Sequence, residues 1–167
     1  DVFTRLITDY ATAFDRVVMG YHGPLFVEVS PRAFSIVVRK GSRLNQLRVR
    51  QGSPRTSAAA LRRLHGITPL IDRDINDGDI QKSIPVTVDL QGTEGSSVVG
   101  YKARPHTDLI DIDKEGYYDP LDYWDPINAG RDKMILNPGD FHIFASAEAV
   151  TVPPDHAAEM VAYDTQV

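Results

Sequence analysis

Cysteine is absent from the 167 residues. That excludes disulfides, Cys-ligated zinc, iron–sulfur clusters and thiol nucleophiles, and it fits the reducing cytoplasm in which the chain is expected to work. No apolar run approaches the roughly 20 residues of a membrane-spanning helix, so no membrane partner is expected. Five histidines are present, His22, His65, His106, His142 and His156. No two stand at i,i+4 spacing and no HExxH occurs, so a histidine metal site is not expected. Acids are missing from one long stretch: Val29 to Ile71 holds nine Lys or Arg and no Asp or Glu. A signal-peptide pattern and an initiator Met are also lacking, so a fragment of something longer is the expectation.

Apolar residues make up 42% and charged residues 25%, the balance of a folded globular chain. The net charge of −5 is unevenly placed, because residues 72–167 carry nineteen acids against seven bases. Such asymmetry points either to an anionic ligand near the basic stretch or to a solvated basic face. Nucleic acid is not expected, since the chain is acidic overall and has no aromatic-studded basic motif.

Residues 24–50 read as a β-meander. Leu25, Val27 and Val29 alternate with Phe26, Glu28 and Ser30, the period of a strand. Phe34, Ile36 and Val38 form a second alternating run, and Leu44 to Arg50 a third, with turns at Ser30–Arg32 and Lys40–Ser42. Short strands between tight turns predict a barrel or jelly roll. Thr56 or Ser57 can cap a helix over Ala58–Leu64, ended by Gly66, and residues 66–82 read as a loop. Further strands are predicted at Val86–Leu90, Val98–Ala103, Leu109–Ile112, Phe141–Ala145 and Ala149–Val152. One helical turn is predicted after Asp119-Pro120, and a turn at Asn137–Asp140.

Glu28 is the only acid of its meander. In a half-buried strand beside so many cations it is either a structural ion-pair member, with Arg39, Arg43 or Arg48 across the sheet, or a working general base. Gly41–Leu47 is either a plain turn with an edge strand or a presenter of amide groups, Gln46 among them. Asp15 is a turn residue or an orienting acid. Asp108, Asp111 and Asp113 read as a solvated strand face, and Asp119, Asp122 and Asp125 as helix capping and surface.

The run Gly20-Tyr-His-Gly23-Pro-Leu-Phe-Val-Glu28 resembles the G-(W/Y)-x-G-x-(I/L)-x-(L/V)-E segment of dCTP deaminases, members of the trimeric dUTPase superfamily. Gly41 to Leu47 resembles the superfamily's G-x-(R/K)-(I/L)-x-Q-L motif. Leu136-Asn-Pro-Gly139-Asp-Phe and Glu148-Ala-Val-Thr-Val-Pro153 resemble a run from the first half of a deaminase domain. The order is inverted relative to one domain. The resemblance therefore implies a long, tandem-duplicated form, with 1–52 the C-terminal half of a first repeat, 53–82 helix and linker, and 83–167 the N-terminal half of a second.

The implied fold is mainly β, a dUTPase-like distorted barrel or jelly roll with short helices. The implied activity is hydrolytic deamination of dCTP to dUTP and ammonia. A dUTP pyrophosphatase, a bifunctional enzyme and a non-catalytic nucleotide-binding barrel are the alternatives. The resemblance makes Glu28 the general base, sets Phe26 and Val27 against the pyrimidine, and assigns Asp15 and Gln46 to substrate binding. It implies no protein-bound cofactor, Mg²⁺ accompanying the triphosphate, and a homo-oligomer with threefold or pseudo-threefold symmetry. The sequence departs from the family at Ala13, where an Arg is the rule, and at Tyr163–Gln166, where the Ser-Ser-x-x-Arg phosphate motif is missing. Zinc deaminases need H-x-E and P-C-x-x-C runs, which a chain without cysteine cannot supply.

Overall fold

The structure, a computed structural model, describes residues 2–8, 16–49, 52, 57–76, 79–80, 83–92, 95–130 and 133–160. These belong to two compact units, one of Asp1–Val49 with Gln91–Phe144 and one of Arg50–Leu90 with Ala145–Val167. Among the described residues the secondary structure is mainly β, with two short helices. Among the described residues the strands form small open sheets and not a closed barrel.

In the first unit, β1 (Val2–Ile7) pairs antiparallel with β2 (Phe26–Pro31). The 24–50 meander does not form. β3 (Ile36–Val37) leaves its sequence neighbour and pairs in parallel with β5 (Ile110–Asp111). Residues 43–49 form no strand, and Leu47 and Val49 stay exposed. Alternation set the right period, but period alone cannot name the partner strand. A three-stranded antiparallel sheet has β4 (Val98–Ala103) between β6 (Trp124–Asn128) and β7 (His142–Phe144). Its centre is tight at Gly100, where a Cβ would strike the Ile143 carbonyl and the Phe144 ring.

Phe34 explains the detour of β3. It is 7% exposed and meets Tyr123 and Trp124 edge-on, with ring centroids 5.4 and 5.1 Å away. Ala103 completes this core, and Tyr118, Ile110 and Phe141 pack around it. Buried aromatics in T-shaped contact add to the area term of burial. Asp119 caps α2 (Pro120–Tyr123) by accepting from the Leu121 N–H, as its sequence predicts, and the turn delivers Tyr123 and Trp124 to the core. At the surface, Arg39 Nη1 holds Asp111 at 2.6 Å and Asp113 at 3.4 Å, fastening the exit of β3 beside β5.

The second unit contains α1 (Ala58–Ile67), capped by Ser57, whose hydroxyl accepts from the Ala60 N–H. The helix runs through Gly66 instead of ending there, and the Thr68 N–H closes it on the Leu64 carbonyl. The strands expected at 86–90 and 149–152 are reduced to single bridges, Val88 with Ser146 and Ile71 with Val150. Among the described residues the buried ones here are Leu70, Ile71, Ile80 and an acid, Glu148. Glu148 is 5% exposed and fully engaged: it accepts from the Thr87 N–H at 2.8 Å, the Thr87 hydroxyl at 3.0 Å and Arg73 Nε at 2.8 Å. These bonds to the charged form, led by the Thr87 N–H, outweigh the opposing effect of burial and pull its pKa from the ordinary 4.5 to about 2.

Two outcomes are expected. Phe34→Ala should lower the unfolding free energy by about 3–5 kcal/mol, read by urea unfolding with the fluorescence of Trp124, the single tryptophan. An unmoved midpoint would show that the aromatic core does not carry this unit. Because the folded pKa of Glu148 is depressed, its stabilisation is present above pH 4.5 and is lost as pH falls toward 2. The melting-temperature gap between the native protein and Glu148→Gln should be full above pH 5 and close toward pH 2. A gap independent of pH would contradict the assignment.

Candidate active site

The approach to β2 is built by a turn and a ring. The Tyr21 N–H bonds the Val18 carbonyl at 3.2 Å, and the turn between them needs Gly20 at φ +80°, where a side chain would be strained. The Tyr21 hydroxyl then donates to the Pro24 carbonyl, which lays the ring against Gly23; a Cβ there would sit 2.9 Å from the hydroxyl oxygen. Each defining residue of the Gly-Tyr-x-Gly-Pro run thus has a local job. Together they aim the chain into β2.

On the β1–β2 ribbon, Glu28 stands opposite Arg5, Phe26 opposite Ile7, and Val27 opposite Leu6. Directly paired residues share a face. Arg5, Glu28, Phe26 and Ile7 therefore lie together, and Val27 lies on the other side. Glu28 is exposed, not half-buried as its strand pattern suggests. The reason is topological: among the described residues β2 has one neighbouring strand and nothing stacked on this face. Phe26 and Val27 are exposed too, at 52% and 44%. The expected ion-pair partners of Glu28 are occupied elsewhere or distant in register. Arg39 pairs with Asp111, Arg48 Nε donates to Gln46 Oε1 at 3.2 Å, and the residue facing Glu28 is Arg5. The Arg5 guanidinium also lies 5.0 Å from the centre of the Phe3 ring. Among the described residues the Glu28 carboxylate accepts no hydrogen bond, which leaves it open to water.

Gln46 lies in the exposed 43–49 segment, and no contact joins it to Glu28. Asp15 lies outside the described residues. Two features escaped the sequence reading. β1 was not assigned, although Val2-Phe-Thr-Arg-Leu-Ile is rich in β-branched and aromatic residues. Glu148 is legible in the sequence only as part of a motif, because its partners Arg73 and Thr87 lie more than sixty residues away.

Comparison with known proteins gives consistent results. Residues 1–53 match the family model of the 2'-deoxycytidine 5'-triphosphate deaminase N-terminal domain, and residues 57–167 that of the C-terminal domain. The crystal structure of 2'-deoxycytidine 5'-triphosphate deaminase from Agrobacterium tumefaciens is 42% identical and superposes with a TM-score of 0.82. The match covers 92% of this chain and 46% of that one, so the chain spans about half the length of that relative. No curated protein matches. With both family models filling nearly all of its length, the chain belongs to the 2'-deoxycytidine 5'-triphosphate deaminase family.

Proposed function

We propose that the protein containing this chain deaminates dCTP to dUTP and ammonia, with Glu28 as general base. The observation that carries the reading is an acid at the family's motif position, on an exposed strand and without a hydrogen-bonding partner among the described residues. A carboxylate so placed can reach water. It takes a proton from that water, and the hydroxide attacks C4 of the cytosine. Glu28 returns the proton to N3. The new C4 hydroxyl then gives up its proton as the amino group departs, so that dCTP and water become dUTP and ammonia. Water supplies O4 and the ring is neither oxidised nor reduced. Phe26 and Val27 present backbone to the pyrimidine, Gln46 and Asp15 contact the nucleotide, and Mg²⁺ arrives with the triphosphate as part of the substrate.

The same reading takes 1–52 as the end of a first repeat, 53–82 as its connection and 83–167 as the start of a second. The protein assembles with threefold or pseudo-threefold symmetry and works in the cytoplasm. No helix among the described residues is long and apolar enough to cross a membrane. The open apolar side chains beside Glu28, Phe3, Ile7 and Phe26, would be covered in such an assembly.

Glu28→Gln in the intact protein should reduce ammonia release by about 10³-fold or more while dCTP still binds, because the amide keeps the shape and loses the basicity. Ammonia release and chromatography of the nucleotides give the readout. Undiminished turnover by the variant would end the assignment of Glu28.

A further inference from the structure

The first unit holds a concavity away from Glu28. It has a volume of about 410 Å³ and is lined by His106, Thr107, Asp108, Asp122 and Tyr123, none of which takes part in the deamination proposed above. Three features set these residues apart. Tyr123 is 6% exposed, its ring locked between Phe34 and Tyr118, yet among the described residues its hydroxyl has no hydrogen-bond partner. The ring is buried, while the hydroxyl oxygen is left to the concavity that the residue lines. The neighbouring Tyr118 hydroxyl instead accepts from the Asp111 N–H at 2.7 Å.

The carboxylates differ from their neighbours in the same way. Asp111, Asp125 and Asp140 are each bound to a cation, Arg39, Arg104 and Lys102, within 2.7 Å. Asp108 and Asp122 have no basic partner among the described residues. The third feature is His106, which holds φ +58° just after Pro105, the second turn position, where Gly or Asn is the easier choice. Burial, then Tyr118, then the charges of Asp108 and Asp122 raise the pKa of Tyr123. Its hydroxyl therefore stays protonated and feels both carboxylates.

We propose that this concavity binds a small organic cation bearing several N–H donors, an amine or a guanidinium, held by Asp108 and Asp122 and by the Tyr123 hydroxyl as acceptor. The volume suits a small molecule and is far larger than a bare metal ion requires. The lining offers acceptors and negative charge, the complement of such a ligand. Both aspartates are exposed, so the attraction is screened by salt and binding is weak at physiological ionic strength.

Agmatine, which carries a guanidinium and an ammonium, is the probe, titrated calorimetrically into the intact protein at low ionic strength. Saturable binding is expected. Asp108→Asn and Tyr123→Phe should each weaken it by about tenfold, while Glu28→Gln should leave it unchanged. Tyr123→Phe keeps the ring contacts, so a matching melting temperature would separate loss of the hydroxyl from loss of the core. Equal affinity in the native protein, Asp108→Asn and Tyr123→Phe would overturn the proposal. So would Mg²⁺ alone giving the same saturable heat with the same dependence on these variants.

Discussion

The insertion of Phe34 between Tyr123 and Trp124 is the contact on which the first unit depends. It draws the chain away from a local hairpin and makes β3 pair with β5, more than seventy residues later. Phe34 falls within the span matched by the N-terminal family domain, while Ala103, Tyr123 and Trp124 fall within the C-terminal one. The two family domains therefore share a core here. Only two residues separate the end of β2 from Phe34, so anchoring this ring also fixes where the strand bearing Glu28 ends.

Two acids show how differently the fold can place a carboxylate. Glu148 is buried, hydrogen-bonded by backbone, hydroxyl and guanidinium, and its charge is stabilised where it sits. Its partners Arg73 and Thr87 lie on separate stretches of chain, so it holds those segments together. Glu28 is exposed on a two-stranded ribbon and accepts no hydrogen bond from the described residues. A base must keep its lone pairs available for a proton, and only the second arrangement leaves them so. The cations of the basic stretch are likewise divided, with Arg39 spent on Asp111 and Asp113 and Arg48 on Gln46.

Local chemistry was legible in the sequence and long-range pairing was not. The Asp119-Pro120 cap, the Ser57 cap, the Asn137–Asp140 turn and the bounds of β4 all follow from rules that act within a few residues. The Gly-Tyr-x-Gly-Pro run was readable for the same reason, since its turn and ring contact are local. The 24–50 meander failed because hydrophobic period sets a face and says nothing about the partner. The aromatic pocket for Phe34 is assembled from residues about ninety positions further on. Glu28 is exposed where its pattern suggests half-burial, for a related reason. An alternating strand predicts a half-buried face only if something covers it, and one neighbouring strand does not.

The central claim is that water, activated at Glu28, attacks carbon in the pyrimidine ring and not phosphorus in the triphosphate. Turnover of dCTP by the intact protein in ¹⁸O-labelled water, followed by mass spectrometry of the products, tests it directly. The account predicts one labelled oxygen at C4 of the uracil ring and none in the phosphates of the dUTP formed. Label at the α-phosphate with an unlabelled ring would contradict it.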